Sequence, residues 1–111
     1  MIEVLWTPNG GRLVVEVLLP DHGALIRCES AVDTFVEVIK RIGIEQVKNL
    51  EINVGSNPLI STTQFQNPPA QRQVGEYYIT MGMDPASMAR KLRQIADRLN
   101  ITLYAELFER N

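Results

Sequence analysis

The sequence predicts a single α+β domain over residues 1–111, an antiparallel or mixed sheet of about five to seven strands with two helices packed on one face. Its element order reads β-β-β-α-β-(β)-β-α-β. Three observations predict it. Apolar residues alternate with period two in several short runs, as in half-buried strands. Two longer segments switch to the 3.6-residue period of amphipathic helices. Turn and cap residues punctuate these runs, and no linker or low-complexity tract divides them.

Taken in order, residues 2–7 alternate Ile2, Val4 and Trp6 against Glu3, Leu5 and Thr7. Asn9-Gly10 follows, the preferred pair for a type I′ turn whose central residues both need positive φ. The spacing predicts a hairpin into a second strand, residues 13–19. That strand is apolar on both faces except for Glu16, which predicts a central position. After the turn Pro20-Asp21-His22-Gly23, residues 24–28 make a short third strand. Ser30 caps the first helix, and Asp33 suits the positive end of its dipole. Val32, Phe35, Val36, Ile39 and Ile42 recur along one face of it, and Gly43 is placed to end it in the left-handed conformation.

Residues 44–48 add one helical turn. Leu50, Ile52 and Val54 alternate as a strand that Gly55 breaks, and residues 59–63 extend again. Beyond a Gln- and Pro-rich loop, residues 74–81 form a strand. Asp84-Pro85 opens the last helix, a capping carboxylate followed by proline at the first helical position. Met88, Leu92, Ile95, Ala96 and Leu99 make its buried stripe, with Asn100 as a left-handed cap. Residues 101–108 close the chain as a strand with Ile101, Leu103, Ala105 and Leu107 on one face. The segment 74–108 has the length of a right-handed crossover between parallel strands.

The composition excludes several classes of function. A formal charge of −2 argues against a generic nucleic-acid or membrane binder, although a local basic face can hide in that total. Cys28 is the only cysteine and His22 the only histidine, so neither an intramolecular disulfide nor a Cys/His zinc site is expected. With no long apolar run and no basic-then-apolar start, a cytoplasmic protein without a membrane span is expected. The catalytic templates fail in turn. There is no phosphate-binding glycine motif, His22 lies in a turn beside Asp21, and Cys28 reads as a small buried apolar residue. The expectation is a protein that is not an enzyme, with no catalytic residue, no metal and no cofactor.

Three surfaces carry binding candidates instead. "QFQNPPAQRQV", residues 64–74, offers Gln64, Phe65, Gln66, Asn67, Gln71, Arg72 and Gln73. Carboxamides both donate and accept, which suits peptide backbone or base edges, and Pro68-Pro69 stiffens the segment. The same residues also make an ordinary polar connection. The last helix shows Arg90, Lys91, Arg93 and Arg98 opposite its apolar stripe. Residues 65–100 carry five cations against three carboxylates, whereas residues 1–64 carry five against eight. That face reads either as a solvated helix surface or as a phosphate or acidic-partner contact. Finally, Tyr104 and Phe108 on the closing strand mark a candidate dimer edge.

"AVDTFVEVIKRIGIEQV", "PLIS", "QRQVGEYYITM" and "KLRQIADRLNITLYAEL" together resemble a group of small, largely uncharacterised bacterial α+β domains over residues 30–108. The resemblance implies a fold and an association with mobile-element or defence-type reading frames, and it carries over no catalytic residue. Such sequences often place Thr, His or Asn before the last helix, where this one has "MGMDPAS". The expected function is a non-enzymatic protein-interaction module, homodimeric in bacterial cytoplasm, using loop 64–73 and the basic helix face with a protein partner. The alternative is a nucleic-acid-binding accessory protein using the Arg-rich helix and the Gln-rich loop.

Overall fold

The structure, a computed structural model, describes residues 3–6, 13–28, 30–67 and 69–109. Its elements are β1 (Glu3–Trp6), β2 (Leu13–Leu19), a 3-10 turn (Pro20–His22), β3 (Ala24–Arg27), α1 (Ala31–Ile42), α2 (Ile44–Asn49) and β4 (Asn53–Val54). They continue with β5 (Asn57–Pro58), β6 (Ile60–Ser61), β7 (Gln71–Val74), β8 (Tyr77–Thr80), α3 (Pro85–Leu99) and β9 (Tyr104–Glu109). The α+β class is as the patterning predicts. The strands divide differently, into a four-stranded sheet β1-β3-β2-β9, a hairpin β4-β5 and a three-stranded sheet β6-β8-β7. The single sheet of five to seven strands is therefore corrected to three smaller ones.

The predicted hairpin between the first two strands is also corrected. β1 pairs in parallel with β3, and β3 separates it from β2. The physical reason lies in β2, whose backbone N–H and C=O groups along both edges are satisfied by a strand on each side. The tight turn at 20–23 delivers β3 to one side, closed by the Gly23 amide on the Pro20 carbonyl. β9 takes the other side over a six-residue register from Leu13↔Glu109 to Leu18↔Tyr104. With both edges of β2 taken, β1 pairs on the outer edge of β3. The Asn9-Gly10 turn lies outside the described residues.

Alternation along these strands decides which face is covered. Val15, Val17 and Leu19 of β2, Ala24 and Ile26 of β3 and Ala105 of β9 are buried. α1 and α3 pack on this face and on each other. Glu16, Leu18, Leu25 and Arg27 point to the opposite face and are half-buried. Phe35, Val38 and Ile39 of α1 and Leu92 and Ile95 of α3 are fully buried, each contributing about 1.5–3 kcal/mol by burial of apolar surface. Leu59, Ile60, Ile79 and Met81 bring the three-stranded sheet into the same core.

The caps follow the sequence. Ser30 accepts from the Asp33 amide, Asp84 accepts from the Ser87 amide, and Asn100 adopts the left-handed conformation. Gly43 ends α1 at φ +116° and ψ 109°, so it has positive φ but lies outside the left-handed helical well. A side chain there would start 3.0 Å from the Gln46 Nε2. Two further expectations are revised. Leu50 caps α2 and Glu51 turns at φ +57°, leaving only Asn53–Val54 as strand. β8 and β9 belong to different sheets, so α3 is not a crossover between parallel strands.

Candidate functional site

The Gln-rich stretch is organised by a hairpin that the residues 74–81 strand expectation missed. Val74 faces Tyr77 across a two-residue connection, with Gly75 at φ +60° in its first central position. That is the requirement of a type II′ turn, and glycine meets it without steric cost. Residues 71–74 thus leave the loop and become β7, in register with β8 as Gln73↔Tyr78, Arg72↔Ile79 and Gln71↔Thr80. Side chains alternate, so Gln71 and Gln73 share a face with Tyr78 while Arg72 and Val74 take the other.

The shortened loop is fastened at its neck by Gln71. Its Oε1 accepts from the Phe65 amide at 2.7 Å and its Nε2 donates to the Thr63 carbonyl at 3.2 Å. One carboxamide thereby satisfies a donor and an acceptor on the opposite limb, using both its oxygen and its nitrogen. Ser61 holds Thr63 by bonds to both its amide and its carbonyl. On the far limb, the Met81 amide donates to the Ala70 carbonyl at 2.8 Å. Pro68 lies outside the described residues.

Between the fastened loop and the hairpin is an open concavity of about 420 Å³. Gln64, Phe65, Asn67, Gln71 and Gln73 line it, joined by Pro69, Ala70 and Tyr78. Five of the seven loop residues named from the sequence therefore meet in one place. Gln66 is exposed outside the concavity. From the sequence either Tyr77 or Tyr78 could stack beside Phe65; the turn Val74-Gly75-Glu76-Tyr77 sets Tyr78 opposite Gln73 and so selects it. The lining offers carboxamide donors and acceptors beside two aromatic rings, and no carboxylate or cation among the described residues.

The basic residues do not join it. Arg72 turns to α1 and donates from both terminal nitrogens to Asp33 Oδ1 at 3.2 Å. On α3, Lys91 donates to the Asn53 carbonyl at 2.6 Å, Arg98 to the Leu50 carbonyl at 3.2 Å and Arg93 to the Ala105 carbonyl at 2.6 Å. Arg90 reaches the Ser87 hydroxyl at 2.9 Å. Lys91, Arg93 and Arg98 thus tie α3 to backbone on both its flanks.

Of the remaining candidates, His22 sits in the exposed 3-10 turn and Cys28 is buried. Burial pushes the Cys28 thiol up, against the opposing bond with Thr34 and with the charges of Glu37 and Asp33 adding to the rise. The thiolate is therefore disfavoured at neutral pH. Tyr104 is 60% exposed on the open face of the four-stranded sheet. The side chain of Phe108 lies outside the described residues. Among those residues no helix is long and apolar enough to cross a membrane. Compared with protein-family models, curated proteins and solved structures, the chain matches none.

Proposed function

We propose that this chain is a non-catalytic recognition module that binds a protein partner through the concavity between loop 62–70 and the β7–β8 hairpin. One observation carries the reading: five loop residues and Tyr78 converge on a concavity whose polar side chains, among the described residues, are carboxamide and phenol. Such groups form directional hydrogen bonds without adding charge, and the rings of Phe65 and Tyr78 add apolar contact. That combination suits neutral peptide groups better than phosphate. The volume falls in the ordinary range of binding sites.

The test is selection of peptides from a displayed library of random dodecapeptides on the intact chain, followed by binding isotherms. Phe65→Ala is expected to weaken the selected peptides by about tenfold, the loss of one buried aromatic contact. Duplex and single-stranded oligonucleotides are the opposing probe. Binding to them that falls steeply with salt and vanishes in Arg90→Ala/Arg93→Ala would replace this reading with nucleic-acid recognition. Against that outcome stands the engagement of Lys91, Arg93 and Arg98 with backbone carbonyls, which phosphate would have to displace.

Homodimerisation belongs to the same proposal, carried by Tyr104 on a sheet face where Leu18 and Leu25 are only half-buried. Pairing along the β9 edge is less favoured, because Arg93 already occupies the Ala105 carbonyl. Packing of the open face against a second copy buries the ring without disturbing that bond.

A further inference from the structure

We infer that the partner binds as an extended peptide that adds a strand to the free edge of β7, lying in the groove between β7 and α1. The inference deepens the recognition proposal above and rests on it. Among the described residues, β7 pairs with β8 on one side and has no strand neighbour on the other. The hydrogen-bond parity of the hairpin fixes which of its groups face outward. Ala70 and Met81 stand opposite each other and share a bond, so the bonded pairs are 70/81, 72/79 and 74/77. The pairs 71/80 and 73/78 are the non-bonded ones. The Thr80 amide agrees, since it donates the other way, to the Leu59 carbonyl at 2.8 Å. Gln71 and Gln73 therefore direct their backbone N–H and C=O groups away from the sheet, and no described residue bonds them.

Only another extended backbone presents donors and acceptors at the matching two-residue spacing, which is the chemistry of strand addition. The surroundings suit both faces of such a strand. Side chains pointing one way meet the carboxamide and aromatic concavity. Those pointing the other way meet a second concavity of about 440 Å³ between β7 and α1. Its floor holds Cys28, Val36 and Val74, and its rim holds Asp33 with Arg72 and Glu37 with Lys40 as ion pairs. A rim of paired charges favours a neutral, aliphatic guest over a charged one. The fitting partner is thus an extended segment that alternates polar or aromatic residues with small aliphatic ones. The contrast with β9 supports the choice of edge, for there Arg93 blunts the backbone.

The experiment uses the intact chain and peptides selected from the dodecapeptide library. Gln73→Pro deletes the outward amide and leaves the β7–β8 bonds untouched, because Gln73 belongs to a non-bonded pair. Gln73→Ala keeps the amide and removes only the carboxamide. Selected peptides are expected to lose about tenfold or more in affinity for the proline variant and about threefold or less for the alanine variant. A scan of N-methylated peptides keeps the question open to decision if the proline variant does not fold. Methylation at alternate positions should abolish binding while the intervening positions tolerate it. Uniform tolerance of N-methylation, or equal affinity for Gln73→Pro and the parent, overturns strand addition. Loss in Phe65→Ala would then leave the recognition reading standing. Failure to enrich any peptide overturns both. A dimer of the parent chain that dissociates in Gln73→Pro would assign the edge to a second copy and also overturn it.

Discussion

At the scale of single residues, Gln71 separates a fastened loop from a loose one. Its carboxamide joins Thr63 and Phe65 across the neck, so the charge and length of that one side chain decide the loop's closure. Gln71→Glu keeps the acceptor for the Phe65 amide but replaces the donor to Thr63 with a second acceptor. It is expected to cost about 1 kcal/mol and to speed amide exchange at residues 64–67, read by hydrogen-exchange mass spectrometry. Unchanged exchange would show that Gln71 does not hold the neck. Thr34 illustrates the same logic in the core. It is fully buried, and its hydroxyl accepts from the Cys28 amide at 2.8 Å, satisfying a donor that the end of β3 would otherwise bury unpaired. Thr34 falls between the apolar positions of α1, where periodicity reads it as solvent-facing; its burial comes from β3 packing beside it.

At the scale of elements, the caps behave as local chemistry requires. Asp84 accepts from the Ser87 amide at the start of α3, and bonds from the Ser87 backbone and hydroxyl, aided by the Arg90 charge, hold its carboxyl below the ordinary range. The sign follows from linkage. A depressed folded-state pKa contributes stability that is present above the unfolded carboxylate's value of about 3.9 and is lost as pH falls through the lower folded value. Asp84→Ala should therefore lower the melting temperature at pH 7. The gap between the variant and the parent should close as pH drops below about 4. Thermal melts across that range check it; a gap that widens in acid would contradict the capping assignment. Asn in this position should retain most of the cap, since it accepts equally well, and should remove the pH dependence.

The hairpins at Gly55 and Gly75 belong to the same scale. Each places a glycine at positive φ, +62° and +60°, as the first central residue of a two-residue connection. Chain neighbours aside, neither has a described residue within 4 Å of where a side chain would start, so backbone conformation and not space selects glycine. The turn at Gly75 was written in the sequence as a lone glycine between Val74 and Tyr77. It went unread because the apolar run continued past it, and period two does not mark where a strand reverses.

At the scale of the whole molecule, one face of the four-stranded sheet carries the helices and the other carries Tyr104 with Glu16, Leu18, Leu25 and Arg27. Glu16 and Arg27 approach to 3.7 Å there, a partly exposed pair that solvent screens and that adds little to stability. If a second copy covers this face, Tyr104→Glu places a charge in the apolar contact. Light scattering should then report the parent as a dimer and the variant as a monomer. A parent that stays monomeric at high concentration would remove the dimer from the proposal.

The sequence by itself determined the class of the fold, the cap residues Ser30, Asp84 and Asn100, and the apolar stripes of α1 and α3, because these depend on neighbours within one helical turn. It also located most of the candidate site, since Gln64, Phe65, Asn67, Gln71 and Gln73 are unusual in composition wherever they fold. Tertiary structure alone decided that β3 stands between β1 and β2, that Tyr78 completes the concavity, and that Arg72 and the cations of α3 bind within the chain. Those outcomes turn on which strand reaches a shared edge and which carbonyl lies within reach of a long side chain. Both are fixed by contacts between residues far apart in sequence, and no local periodicity encodes them.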